Sequence, residues 1–261
     1  MTAPRWLPFG VGGLKRAGKD SLFRAVAAEL RRRRGSDFAA TSVAFADALR
    51  ATTTAAYGLP SGDMAADYER VKDEVDPRWG ITRRQMMINL GVPATLPGGS
   101  FDHWAIRWGI EVEAEVADLF VAADDFVSPP SEVEAMRAGI FVGAPDVRRL
   151  NEAATIIDRG GFNVLVCSKR ASWNGHVTEA LAYLAELAAA DPGMPPLVFG
   201  DARIDAFVKY ERPDCASLLE GTWRQHAGRP IFDVVIRNDG AEADLAAQAV
   251  GVADELMRRM P

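Results

Sequence analysis

Near the start of this 261-residue chain, a mostly apolar glycine-containing run (residues 6–12) leads into Gly13-Leu14-Lys15-Arg16-Ala17-Gly18-Lys19-Asp20-Ser21, and then into SLFRAVAAELRRRR. In that last run Leu22, Val26 and Leu30 recur at four-residue spacing, one face of a helix. The order is strand, glycine-bearing loop, helix. The loop fits the pattern G-x-x-x-x-G-K, with Ser one place late. Its glycines let backbone N–H groups turn inward around phosphate oxygens. A lysine at the end of the loop reaches the outer phosphates, and the helix N-terminus adds partial positive charge. Lys15 and Arg16 put two more cations inside the same loop, enough for a second phosphate.

The rest of the chain alternates in the same way. ATSVAF (40–45) reads as a short buried strand, and Asp47 as the cap of a helix ended by Gly58. Residues 60–81 are polar without a clear period, and RRQMMINLG (83–91) reads as a helix. PATLPGGS is a loop, a long helical pattern runs from Phe101 to Phe120, and SEVEAMRAG (131–139) reads as a short helix. Residues 140–167 read as strand (Ile140–Val142), loop, helix (149–159), Gly-Gly turn and strand (Phe162–Cys167), a βαβ unit. A helix through 173–190 follows, then an aperiodic stretch (191–230), the strand DVVIR, the turn NDG and a last helix. Strands alternating with helices predict an α/β fold with a central, mostly parallel sheet covered on both faces, a three-layer arrangement.

Composition removes other classes. Thirty Lys and Arg against 36 Asp and Glu leave a net charge of −6, which argues against a general nucleic-acid binder. Only five of the thirty are Lys, and the Arg excess reflects a GC-rich coding sequence apart from a few phosphate-binding forks. No apolar run approaches the roughly 20 residues that span a bilayer. Cys167 and Cys215 are too few for a disulfide scaffold, so a cytoplasmic setting is expected. RRRR (31–34) ends the first helix, where positive charge complements the helix dipole.

GLKRAGKDS resembles the G-x-K-R-S-G-K-D-[ST] loop of bacteriophage deoxynucleoside monophosphate kinases; animal-type phosphomevalonate kinases carry a related loop. FADALR (45–50), RRQMMINLG (83–91), DVRRLNEA (146–153), HVTE (176–179) and FDVVIRNDGAEADL (232–245) resemble further elements of the phage family, in the same order. The poorly matched stretches are 60–80, 110–139 and 185–230. The resemblance implies a single P-loop kinase domain over 1–261, with a helical acceptor-binding insertion at about 47–138 and a lid at about 170–230. It implies transfer of the γ-phosphoryl group of ATP, with Mg²⁺, to a deoxynucleoside monophosphate. The partners are then small nucleotides, in the host cytoplasm if the chain is phage-encoded, and the related kinases suggest a homodimer.

By the same resemblance Gly13, Arg16, Gly18, Lys19, Asp20 and Ser21 bind ATP, with Ser21 or Asp20 helping to hold the metal. Lys15, Arg16 and Lys19 face the transferred phosphate. Lys15, Arg84, Gly91, Trp104, Asp146, Arg148 and Glu152 fall on the acceptor side. Each has a plainer reading: Arg84 in a surface pair, Trp104 in the core, Asp146 capping the next helix, Arg148 and Glu152 pairing with each other. His176 and Glu179 mark the lid entry or simply hydrogen-bond at a helix start. Gly91 is followed by Val92-Pro93, where the family often has Gly-Thr. Arg203, Arg212, Arg224 and Arg229 are candidates for a charge-clamping lid residue. The competing readings are a same-fold kinase with another acceptor (a hydroxymethylated base in DNA, or a phosphomevalonate-type molecule) and a non-catalytic nucleotide-binding protein.

Overall fold

A computed structural model describes residues 6–35, 39–60, 68–91, 102–125 and 140–260. Its centre is a five-stranded sheet of β1 (Trp6–Gly12), β2 (Ala39–Ser42), β5 (Ile140–Pro145), β6 (Phe162–Cys167) and β7 (Val234–Arg237). The order across the sheet is β2-β5-β1-β6-β7, and every adjacent pair is parallel. The expectation of a mostly parallel sheet is thus sharpened to an all-parallel one. The antiparallel pair β3 (Val75–Asp76) and β4 (Ile81–Thr82) forms a separate small hairpin.

Strands covered on both faces read as near-continuous apolar runs, because both sets of alternating side chains are buried. One set holds Leu7, Phe9, Val11, Phe141, Phe162, Val164, Val166 and Ile236. It packs under α1 (Lys19–Arg34) and α9 (Glu242–Arg259). Leu22, Val26 and Leu30 of α1 are at most 1% exposed, and each contributes about 1.5–3 kcal/mol by leaving water. The other set, Ile140, Val142, Ala144, Leu165 and Cys167, packs under α5 (His103–Asp125), α6 (Leu150–Asp158) and α7 (Ala180–Ala190). Helices on both faces make three layers. In the last turn of α1, Arg32 and Arg33 pair with Glu29, and Arg33 also pairs with Asp254 of α9, so this basic run binds helix to helix.

Three expectations change. Strand β2 stops at Ser42, and Phe45 opens α2 (Phe45–Tyr57) instead of closing a strand. Asp47 lies inside α2, not before it: its carboxylate accepts the Ala44 N–H at 2.8 Å, and it pairs with Arg50. Phe45 then stacks on Trp108 of α5 at 4.7 Å. A short apolar run satisfies strand or helix equally, and tertiary packing decided for helix. The aperiodic 191–230 stretch is a series of single turns: α8 (Ala202–Ala206), a π-helical turn (Phe207–Glu211) and 3₁₀ turns at Pro213–Leu219 and Trp223–His226. Phe199, Ile204, Phe207, Cys215, Leu218, Trp223 and Ile231 bury themselves in the same cluster as β5 and α6. This part of the segment assigned to a lid is therefore core. The expected helix at 131–139 and loop at 93–100 lie outside the described residues. Two short helices complete the described architecture: a single turn, α3 (Tyr68–Val71), and α4 (Arg83–Gly91).

Candidate functional site

Because the sheet is parallel, the loops after β1, β5, β6 and β7 leave it at one edge, where open α/β sheets bind ligands. The loop after β1 is shaped by its backbone. Gly18 has φ +100°, and a Cβ there would stand 2.2 Å from Asn238 Nδ2; a Cβ on Gly13 (φ +149°) would meet Val166 O at 2.5 Å. Arg16 holds φ +68° without being glycine, a conformation that costs about 1–3 kcal/mol. Ala17 N–H closes the turn on Leu14 O at 3.1 Å. Gly18 is the N-cap of the 16-residue α1, and no side chain caps that end. Its first-turn N–H groups therefore point out of the helix with the positive end of the dipole behind them.

Lys19 Nζ donates to Gly13 O at 2.9 Å and Leu14 O at 3.0 Å, and meets Asp146 Oδ1 at 3.0 Å. Asp146 follows β5 directly and also sits in the left-handed region, φ +69°. Its Oδ2 accepts Arg148 Nη2 at 2.7 Å. Burial works to raise the Asp146 carboxyl, but Arg148 and Lys19 outweigh it and hold it at about 2. Arg148 Nη1 donates to Thr178 Oγ1 at 3.0 Å, which joins the network to the turn before α7. Glu152 does not pair with the Arg148 guanidinium. It accepts the backbone N–H groups of Arg148 (2.7 Å) and Arg149 (3.2 Å), and burial raises its carboxyl above the ordinary range.

A second basic group borders this network. Arg84, on α4, holds Asp73 in a two-point pair at 2.8 and 3.2 Å, and Lys72 and Lys15 also act on that carboxylate. His176 caps the 3₁₀ turn Val177–Glu179 through Thr178, its Nδ1 lying 2.8 Å from Thr178 Oγ1. The imidazole is pushed below its ordinary value, first by burial and then by the charges of Arg84, Arg148 and Arg212. Those three arginines, 64 residues apart at the closest and drawn from three segments, therefore act on one imidazole. Of the four lid candidates Arg212 is the one acting there. It donates to Gly175 O at 2.6 Å and stacks on Trp173 at 4.9 Å. Arg203 pairs with Asp201, Arg224 donates to Gly221 O and Leu219 O, and Arg229 faces Asp233.

The remaining expected residues lie apart from this hydrogen-bonded chain. Trp104 is buried, with its indole N–H on Gly91 O at 3.3 Å, so the two fasten α4 to α5. Asp20 is exposed, and Ser21 Oγ accepts from Arg24 Nη2 at 3.3 Å. Among the described residues no group of three or more His, Cys, Asp or Glu is arranged to hold a metal ion. Burial pushes the Cys167 thiol up to about 12, which makes it a core residue and not a nucleophile.

Two residues escaped the sequence reading. Asn238, in the NDG turn after β7, donates from Nδ2 to Ala17 O at 2.8 Å and latches the loop shut. Its sequence signals are that turn and its place in the segment FDVVIRNDGAEADL (232–245), neither of which assigned it a role. Glu186, on α7, has its Oε1 buried with no hydrogen-bond partner, and burial pushes its carboxyl up to about 7. Nothing in the helical pattern of α7 distinguishes it from a surface Glu.

The chain is thus an α/β protein that gathers a glycine-shaped loop, a lysine and an Asp–Arg pair at the carboxyl edge of an all-parallel sheet. No family model matches it, and no curated protein matches it in sequence. Among the described residues no helix is long and apolar enough to cross a membrane.

Proposed function

We propose that the chain catalyses ATP-dependent phosphoryl transfer to a deoxynucleoside monophosphate. The observation that carries this reading is the Lys19 ammonium, held by Gly13 O, Leu14 O and Asp146 beside an uncapped helix N-terminus. That arrangement parks a cation at the mouth of a ring of outward-facing N–H groups, the chemistry an anionic polyphosphate requires. The donor set fits Mg²⁺ as well, since that ion takes one or two protein ligands and fills its octahedron with water and phosphate oxygens; Ser21 or Asp20 would supply them. When bound, ATP supplies the phosphoryl group and Mg²⁺ neutralises its charge.

An acceptor phosphate is already anionic, so no general base is needed, and catalysis rests on alignment and charge neutralisation. Lys19 exchanges its carbonyl partners for the outer phosphates. Lys15 and Arg16 stand over the transferred group. Arg84 exchanges Asp73 for the acceptor phosphate, and Arg148, oriented by Asp146 and Thr178, borders the acceptor. Glu152 positions Arg148 through its backbone. The acceptor bases implied by the resemblance are thymine, guanine and a modified cytosine, and a small nucleotide suits a net charge of −6 with Lys15, Arg16 and Lys19 clustered in one loop. The test is ADP release from ATP and Mg²⁺ with a panel of deoxynucleoside monophosphates. Stimulation by at least one, abolished by Lys19→Ala, is expected. No stimulation by any of them sinks the reading, and salt-sensitive DNA binding with DNA-stimulated turnover would replace it with a DNA-directed kinase.

A further inference from the structure

Arg148 borders the acceptor in the reaction proposed above, and both ends of its fork are held. Nη2 donates to Asp146 Oδ2 at 2.7 Å and Nη1 to Thr178 Oγ1 at 3.0 Å. The side chain is still 40% exposed, so a ligand can reach it. The two anchors differ in kind. A carboxylate only accepts. A hydroxyl carries one proton of its own, and its oxygen faces a guanidinium with a lone pair only while that proton points elsewhere.

The neighbouring imidazole takes that proton. His176 Nδ1 lies 2.8 Å from Thr178 Oγ1 and accepts the Thr178 backbone N–H at 3.3 Å. A backbone N–H can only donate, so Nδ1 bears the lone pair and the ring proton sits on Nε2. A guanidinium also can only donate, so Oγ1 spends a lone pair on Arg148 and directs its own proton to Nδ1. One sense of donation thus runs from Arg148 to Thr178 to His176. The imidazole is anchored from behind: the His176 N–H donates to Asn174 Oδ1, and its carbonyl accepts the Trp173 indole N–H and the Glu179 N–H, all at 3.0 Å. The charged groups around the ring are Arg84 of α4, Arg148, Arg212 and, in its own turn, Glu179. Burial and the three arginines push the imidazole below its ordinary value against Glu179, in keeping with a bare Nδ1 at neutral pH. A proton on Nδ1 would face two donors.

We propose that His176 is a positioning residue for the acceptor side: by accepting the Thr178 hydroxyl proton it turns the oxygen lone pairs toward Arg148 and fixes the guanidinium that borders the acceptor nucleotide. The role at the acceptor rests on the phosphoryl-transfer reading; the fixing of Arg148 does not.

Two measurements on the intact chain test it. The first is NMR of the side-chain nitrogens at neutral pH, which needs no turnover. His176 is expected to show a bare Nδ1 and a protonated Nε2, and Arg148 Nη1 to rotate slowly. Thr178→Val removes the hydroxyl but keeps the backbone N–H on the imidazole, and His176→Ala removes the imidazole; each is expected to free the Nη1 rotation. His176→Asn puts an accepting oxygen in the place of Nδ1 and is expected to keep it slow. The second is steady-state kinetics with ATP, Mg²⁺ and dTMP or dGMP. Thr178→Val and His176→Ala are each expected to raise KM for the monophosphate about tenfold, the double variant no further, with KM for ATP changed less than about twofold and His176→Asn close to native. A protonated Nδ1 in the native chain overturns the inference. So does an Nη1 equally slow in Thr178→Val, an arm that decides even where His176→Ala fails to fold. Additive losses in the double variant, or a rise in KM for ATP equal to that for the monophosphate, also overturn it and leave the activity standing. The expected NMR results without turnover of any deoxynucleoside monophosphate uphold the fixing of Arg148 and fail only the proposed activity.

Discussion

The loop of residues 13–19 and the segment 197–232 both concentrate charge on irregular backbone, but they hold it differently. In the loop, one network runs Lys19–Asp146–Arg148–Thr178 across three chain segments. In the later segment the arginines are satisfied locally. Arg203 pairs with Asp201 and Arg212 with Asp214, two residues away in each case. A local pair forms wherever its stretch of chain goes and is screened by solvent. A network between segments exists only in the folded state, so it preorganises charge. The loop holds its charge ready between segments, as the proposed phosphate site requires, and the later segment is mostly core with a charged skin. Arg212 is the exception, since it acts on His176 with Arg84 and Arg148.

The sharpest way to break this contrast is Lys19→Ala. It is expected to lower kcat/KM by about 10³-fold, about 4 kcal/mol, with unchanged circular dichroism. An active Lys19→Ala enzyme would mean that the network is structural. Glycine substitutions test the backbone side. Gly18→Ala places a methyl 2.2 Å from Asn238 Nδ2 at φ +100°, so a loss of about 2–4 kcal/mol in urea unfolding is expected. Gly228→Ala, at φ +85° with nothing within 4 Å of the added carbon, bears the backbone strain alone, about 1 kcal/mol. Equal losses would erase the distinction between the two regions.

Acid stability gives a smaller effect. Asp146 is held at about 2 in the fold against 3.8 when unperturbed. A depressed carboxyl stabilises the native state above its unfolded value and loses that contribution as the pH falls toward its folded one. Asp146→Asn should therefore remove about 1–2 kcal/mol at pH 6 and flatten the stability curve between about pH 4 and 2, read from urea midpoints. Asp214 is lowered too, by its hydrogen bond to Arg212, but it is exposed, and Asp214→Asn should leave the curve nearly unchanged. The smallest effect sharpens the exception: Arg84→Ala and Arg212→Ala should each raise the His176 titration seen by NMR, whereas Arg203→Ala should not move it.

How much was legible in the sequence follows from distance along the chain. The strand, loop and helix of residues 6–34 could be read because each element announces itself locally, in apolar runs, glycines and four-residue spacing. Asp146 and Arg148 could be placed because a strand end and the loop share one edge of a parallel sheet. Asn238 and Glu186 could not: Asn238 reaches the loop from the turn after β7, Glu186 buries its Oε1 from the middle of α7, and no periodicity records either placement. Phe45 was misread because its burial depends on Trp108, whose ring arrives from α5. Residues 197–231 resisted because single turns carry no period, although nine of their apolar side chains are buried.

The Asn238 latch has a consequence for the order of assembly. It joins Ala17 to a residue 221 positions later, and Arg33 meets Asp254 across the same span. Contacts of such separation close late, because the chain between them must first give up its freedom. A nascent chain that has displayed the whole loop sequence still lacks the side chain that shuts the loop. The closed form of the loop therefore arrives with the turn after β7, and a ribosome-bound fragment ending before β7 would carry the loop sequence without its latch.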